Sequence, residues 1–315
     1  MRQANVKTNL AVNPDERLCD NNPVTQVGPF ELIDVPALSE PRMLVALQPW
    51  VDVGSVGTMA LTFLEETFGG QPIGELARPG YFYDFTRYRP TLFRREGKRE
   101  ISLPNTRLHH ARDKDERDWL LLHALEPHAN GDEYTEGVIG LCRHFKVSEY
   151  ALIGSMYAPV PHTRPPVASG GSNDEPMLAR LREAGVRESN YEGPTTILAG
   201  VTTEAEKLGM VSASLILQLP AYAQLERDFT GLYAMLGYLD TLYGFGLKLD
   251  QLRGQSERQT EAINESVTDD PRLKAWLAEM EEAYDAQRPA DGPAEDSKLS
   301  PELESFLRDV EGRLD

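Results

Sequence analysis

Apolar runs at residues 43–48 and 150–156, and further strand-like stretches at 119–124 and 211–219, alternate with stretches of helical periodicity, and this alternation constrains the chain more than any other feature. A run without polar alternation has both of its faces covered, as in a parallel sheet. In the stretch 54–68, Val56, Met59, Ala60, Phe63 and Leu64 fall on one helical face, and Gly69-Gly70 stops the helix. Residues 134–145, 196–208 and 231–243 carry the same spacing. The fold class that follows is α/β, a mostly parallel sheet with helices on both faces.

Two regions break the pattern. Residues 72–76, 81–85, 91–95, 100–103 and 106–111 read as short strands separated by turn signals, an antiparallel meander inserted into the alternation. From residue 247 the character becomes helical, with helices expected over 249–267, 270–287 and 301–314, and the Pro- and Gly-containing segment 288–300 as a link. Residues 1–27 read as a flexible arm. The expected organisation is therefore an arm (1–27), an α/β core (28–246) and a helical C-terminal part (247–315).

Composition excludes several function classes. The chain has 50 acidic and 32 basic residues and a formal net charge of −18, which argues against a nucleic-acid partner because phosphate binding needs a concentrated basic surface. Residues 248–315 hold 18 acidic against 9 basic side chains, so half of the net charge sits in the helical tail. Cys19 and Cys142 are distant and form no CxxC pair, which fits a reducing cytoplasm. No apolar segment has signal-peptide or membrane-span character, so secretion and membrane insertion are not expected.

In an open parallel sheet, ligands bind beyond the carboxyl ends of the strands. The loops there carry Asp52, Glu126, His162 and Arg164, and a second proline-containing segment adds Glu192 and Thr195. Four prolines stiffen residues 158–166 and hold His162 and Arg164 in one presentation. Beside Glu192, His162 could exchange protons and Arg164 could clamp an anion; the same three groups could equally form an ion-pair network pinning two loops together. Gly54 and Gly57 allow an anion to approach a helix start, but close helix-to-sheet packing is the preferred reading. Trp50 either covers a pocket or fills the junction of loop and sheet, and the second reading is preferred.

Other chemistry lacks a sequence warrant. His109 and His110 are adjacent on a predicted strand, point to opposite faces and cannot chelate one ion together; His123 and His128 have no metal-ligand spacing. No metal or cofactor is expected. A G-x-S-x-G elbow, a Walker loop and a G-x-G-x-x-G fingerprint are all missing.

Several motifs in register carry a family resemblance: the run 47–54, Tyr83-Asp84-Phe85, Arg89-Pro90-Thr91, Leu125-Glu126-Pro127, Val160-Pro161-His162-Thr163-Arg164-Pro165 and Tyr191-Glu192-Gly193-Pro194-Thr195. Together they resemble the proteasome assembly chaperone family, in particular its bacterial branch, over nearly the whole chain. The resemblance implies a phosphorylase/hydrolase-like α/β core, a helical C-terminal part and self-association, with a trimer as the expected state. Some archaeal relatives dock through a C-terminal hydrophobic-Tyr-any residue motif, whereas this chain ends Gly312-Arg313-Leu314-Asp315. The family's first loop resembles Gly-Trp-Asn-Asp-Ala-Gly; here Pro49-Trp50-Val51-Asp52-Val53-Gly54 keeps the Asp and the last Gly but not the Asn.

Two functional classes follow. One is a non-catalytic assembly or interaction factor, a homo-oligomer with a client protein that the sequence does not identify. The other is a small-ligand enzyme of hydrolase- or phosphorylase-like type, or of the ATP-grasp type with which the family is sometimes labelled, acting at the strand-end rim.

Overall fold

The computed structural model describes residues 24–95, 97–268 and 271–286. In chain order its elements begin with β1 (Thr25–Val27), β2 (Phe30–Leu32), β3 (Arg42–Gln48), α1 (Val56–Phe68) and β4 (Gln71–Leu76). A hairpin, β5 (Thr91–Arg95) and β6 (Lys98–Ser102), precedes β7 (Arg107–Arg112), β8 (Asp118–Leu125) and α2 (Gly131–Phe145). Then come β9 (Glu149–Ala158), β10 (Ala168–Ser172), α3 (Glu175–Glu183), β11 (Arg187–Glu188), α4 (Ile197–Lys207) and β12 (Val211–Pro220). Three helices follow, α5 (Phe229–Tyr243), α6 (Asp250–Thr268) and α7 (Pro271–Ala286).

Ten strands form one sheet in the order β1-β2-β4-β7-β8-β3-β9-β12-β10-β11, and β5-β6 stands apart as a two-stranded sheet. The four expected parallel strands are its centre: β8, β3, β9 and β12 are mutually parallel. Both of their faces are covered, and alternate residues feed opposite cores. Leu44 and Ala46 of β3 face a core built with α1 and α5. Met43, Val45 and Leu47 face the other, built with α2 and α4. Period-2 alternation explains this division, since successive strand side chains point to opposite sides. The flanking strands β4, β7 and β10 pair antiparallel.

The stop at Gly69 operates as expected. It adopts φ 66 and donates its N–H to Glu65 O, a left-handed helix end that glycine adopts without steric cost. Three sequence expectations change. Residues 81–85 are not a strand: Pro79–Tyr81 form a 3-10 turn, and Phe82 and Tyr83 are buried in the second core. Proline at the turn's start pre-sets its φ and removes a ladder donor. Residues 25–27 of the expected arm pair with β2 as an edge strand. The segment 168–188, given no structure from sequence, contains β10, α3 and β11. Its Ser-Gly-Gly-Ser run lacks β-formers, and β10 exists because β12 pairs with it along five residues. A Cβ on Gly170 would lie 1.9 Å from Ser214 O, so only glycine fits at that crossing. The expected linker 288–300 and helix 301–314 lie outside the described residues.

Candidate functional site

The parallel orientation of β3, β8, β9 and β12 brings the loops after them to one end of the sheet. These loops carry Asp52, Glu126, and the pair His162 and Arg164.

Asp52 is committed to the fold. Its Oδ1 accepts from Gly57 N–H (2.7 Å) and Thr58 N–H (3.2 Å), and its Oδ2 accepts from the Thr58 hydroxyl (2.6 Å). The start of α1 is thus occupied by the chain's own carboxylate, satisfying donors that a helix leaves open. Burial is the main cause that raises its pKa to about 6, opposed by these hydrogen bonds. A Cβ on Gly57 would lie 3.0 Å from Ile153 O and 3.1 Å from Ala46 Cβ, so close packing on the sheet is the role of this glycine.

The loop holding Asp52 is strained. Val51 takes φ 58, a left-handed conformation that a β-branched side chain disfavours. It is locked there because Ser155 N–H donates to Val51 O (2.9 Å) and the Ser155 hydroxyl to Val53 O (2.6 Å). The consequence is seen at Trp50, which is turned outward with 63% of its surface exposed. The junction-filling reading of Trp50 is therefore corrected. Strain of this kind accumulates where a side chain must be presented rather than packed.

His162 and Arg164 do not meet Glu192. Asn264 Oδ1 can only accept, so the His162 Nε2–H donates to it (2.8 Å), which leaves Nδ1 to accept from the Tyr222 hydroxyl (2.6 Å). The backbone N–H of His162 donates to the same Tyr222 oxygen (2.8 Å). Both ring nitrogens are used, and burial holds the imidazole below its ordinary pKa, opposed by the Asn264 bond and the Glu281 charge. Arg164 reaches α7, bridging Glu281 (3.3 Å) and Asp285 (2.7 Å), while the Thr163 hydroxyl donates to Glu281. Tyr284 adds a bond to Pro165 O (2.9 Å), and Trp276 packs edge-on against Tyr222. The proline-rich loop is a clamp for α6 and α7. The space enclosed beside it is about 20 Å³, room for roughly one water.

Glu192 and Thr195 are exposed. The carboxylate that meets the start of α4 is Glu126 instead: Ile197 N–H donates to its Oε1 (3.0 Å). Its Oε2 is buried without a hydrogen-bond partner, and burial raises its pKa, opposed by the Ile197 N–H.

Glu126 lines a groove of about 550 Å³ walled by Trp50, Tyr81, Tyr83, Arg87 and His128. Its walls are pinned together. Asp84 N–H donates to His128 Nδ1 (3.2 Å), the Tyr88 hydroxyl to Glu126 O (3.1 Å), and His128 N–H to Phe82 O (2.9 Å). Beneath, Tyr83, Thr106 and Tyr134 share hydroxyl contacts of 2.6 and 2.8 Å. The motifs Tyr83-Asp84-Phe85 and Leu125-Glu126-Pro127 thus converge on one groove. Sequence reasoning found Glu126 and missed Tyr81, Tyr83 and His128; the aromatic cluster beside Pro79-Gly80 was the available signal. Among the described residues, one trio close enough to hold a metal ion, Glu65, His109 and His123, lies under α1 rather than in the groove.

Comparison with known proteins accords with this architecture. No curated protein matches the chain. A PAC2 family protein from Streptomyces avermitilis is 26% identical, with a TM-score of 0.68, covering 75% of this chain and 99% of that one. A proteasome-assembly chaperone homologue of Mycobacterium tuberculosis is 24% identical, with a TM-score of 0.66 and coverage of 75% and 99%. An archaeal proteasome activator from Pyrococcus furiosus, 14% identical, has a TM-score of 0.58 and coverage of 75% and 97%. The last two show the shared fold. Residues 46–267, more than half of the sequence, match the PAC2 family, and the chain belongs to that family.

Proposed function

We propose that this protein is a non-catalytic interaction factor that works as a homo-oligomer, with a trimer as its state, in the cytoplasm, and receives a segment of a client protein in the Trp50–Glu126 groove. The observation that carries the reading is the groove itself: an exposed aromatic pair, Trp50 at 63% and Tyr81 at 47%, above a buried Glu126 oxygen without a bond. Aromatic anchors beside a desolvated polar group are the make-up of a protein-binding hot spot. By contrast, Asp52, His162 and Arg164 spend their polar atoms on bonds within the chain. Relatives described as a proteasome-assembly chaperone homologue and a proteasome activator favour a protein client over a small substrate.

Self-association has its own support. On the β5–β6 hairpin, Leu92 and Ile101 pair directly across the strands and are 60% and 50% exposed. A two-stranded hairpin is marginal alone, and a second copy laid on this apolar pair supplies the missing cover.

The test is quantitative affinity purification with the wild type and a Trp50→Ala, Tyr81→Ala variant. A partner that cross-links to the groove in the wild type and disappears in the variant supports the reading. Recovery of the same proteins by both overturns it. Light scattering on a Leu92→Ser, Ile101→Ser variant checks the oligomer, with a smaller species expected.

A further inference from the structure

His109 lies on β7 and His123 on β8, antiparallel neighbours in which His109 pairs with Leu121 and Arg107 with His123. The two histidines are therefore diagonal, on the same face of the sheet, and their ring centroids are 5.4 Å apart. Glu65, in the last turns of α1, descends onto them. Its Oε1 is 2.5 Å from His123 Nε2 and 3.3 Å from His109 Nδ1. All three ligand atoms lie within 4.8 Å of one another.

His109 Nδ1 is buried and makes no hydrogen bond, although Glu65 is close. A buried ring nitrogen without a bond is costly, and Glu65 Oε1 is already engaged by His123.

We propose that Glu65, His109 and His123 bind one divalent transition-metal ion, with zinc the ion their chemistry favours. Two imidazoles and one carboxylate make a three-ligand set for a tetrahedral ion, with the fourth position left to water. Ligand bonds of about 2.0–2.2 Å set neighbouring ligand atoms somewhat over 3 Å apart. The Glu65–His109 distance of 3.3 Å fits already, and the Glu65–His123 distance of 2.5 Å has to open toward that value. Magnesium is a poor match, because it demands oxygen ligands in octahedral array. The side chains are each 13% exposed, which gives an ion a path to them. Once bound, the ion ties α1 to the β7–β8 pair. The site is separate from the groove and independent of any client.

The experiment uses the full chain, stripped with a chelator and then titrated with Zn²⁺ and, in parallel, with Co²⁺ as a spectroscopic probe. Expected are one zinc per chain, a raised melting temperature by mass action and the intense visible bands of four-coordinate cobalt. Changing Glu65→Gln or His109→Gln is expected to weaken uptake by more than the roughly 10–100-fold that loss of an outer-shell partner costs, whereas His144→Ala, at an exposed position of α2, leaves it unchanged. No uptake by the wild type overturns the proposal, as does uptake that survives both ligand substitutions. Should a variant fail to fold, the wild-type cobalt spectrum decides, and weak bands of the aqua-ion type overturn it.

Discussion

Arg164 grips Asp285 with both arms of its guanidinium: Nε lies 2.9 Å from Oδ1 and Nη2 lies 2.7 Å from Oδ2. This fork joins the loop after β9 to the last turn of α7, residues more than a hundred positions apart. Its geometry is bidentate, the arrangement that gives an arginine–carboxylate pair its directionality.

The expected result of Arg164→Ala is local. Amide exchange in α7 accelerates while the melting temperature of the core changes little, because the core rests on buried side chains and this pair sits in solvent. Hydrogen-exchange mass spectrometry reads the difference. Unaltered exchange across α7 contradicts the clamp.

His162 makes the docking of α6 pH-dependent. Its folded pKa is lowered from 6.5 chiefly by burial, so the unfolded chain binds the proton more readily. Stability from the neutral imidazole is therefore complete above about 6.5 and declines as pH falls below that value toward the folded pKa. Limited proteolysis between pH 5 and 8 is expected to show α6 and α7 cleaved faster at the acid end. His162→Gln, which has no proton to gain, is expected to flatten the profile.

Asp52 acts with the opposite sign. Its carboxyl is raised from 3.8 to about 6, mainly by burial, so the folded state holds its proton longer than the unfolded one. This group's contribution is greatest at low pH and is lost as pH rises from about 4 through 6. Asp52→Asn retains an acceptor for the Gly57 N–H without the buried charge. Between pH 4 and 7 the variant is expected to gain about 1–3 kcal/mol relative to the wild type, from 1.36 kcal/mol per pKa unit. Urea unfolding at several pH values measures it, and a pH-independent difference rules the account out.

Gly154 is where β9 passes under the Trp50 loop. A Cβ there would lie 2.0 Å from Val51 O and 3.0 Å from Val51 Cγ1. Gly154→Ala forces that loop outward, and overpacking of this kind costs about 1–3 kcal/mol. The change is expected to appear as a lower urea midpoint together with altered Trp50 fluorescence, since the carbonyl pushed is that of its neighbour. Wild-type fluorescence in the variant means that the loop does not move.

Much of the fold was legible because it depends on period alone. The run at 43–48 is apolar at every position but Gln48, and no half-buried strand reads that way. β10 was not legible, since Ala168–Ser172 has no strand propensity and is held by its pairing with β12. The candidate site divided similarly. Asp52, Glu126, His162 and Arg164 lie in the strand-end loops where the topology expected them, but their partners did not follow from the sequence. Arg164 turns to Asp285 and not to Glu192, and Glu126 reaches the start of α4.

By itself the sequence determined the parallel core, the helix ends and the loops that gather beyond the strands, because these follow from side-chain periodicity and from the dihedral habits of glycine and proline. Only the tertiary structure decided which polar groups meet. His109 and His123 are fourteen positions apart and share a face through the β7–β8 register, and Glu65 reaches them from a helix. Register and helix placement are set by the burial of the two cores as a whole, and that sum over the chain is carried by no local motif.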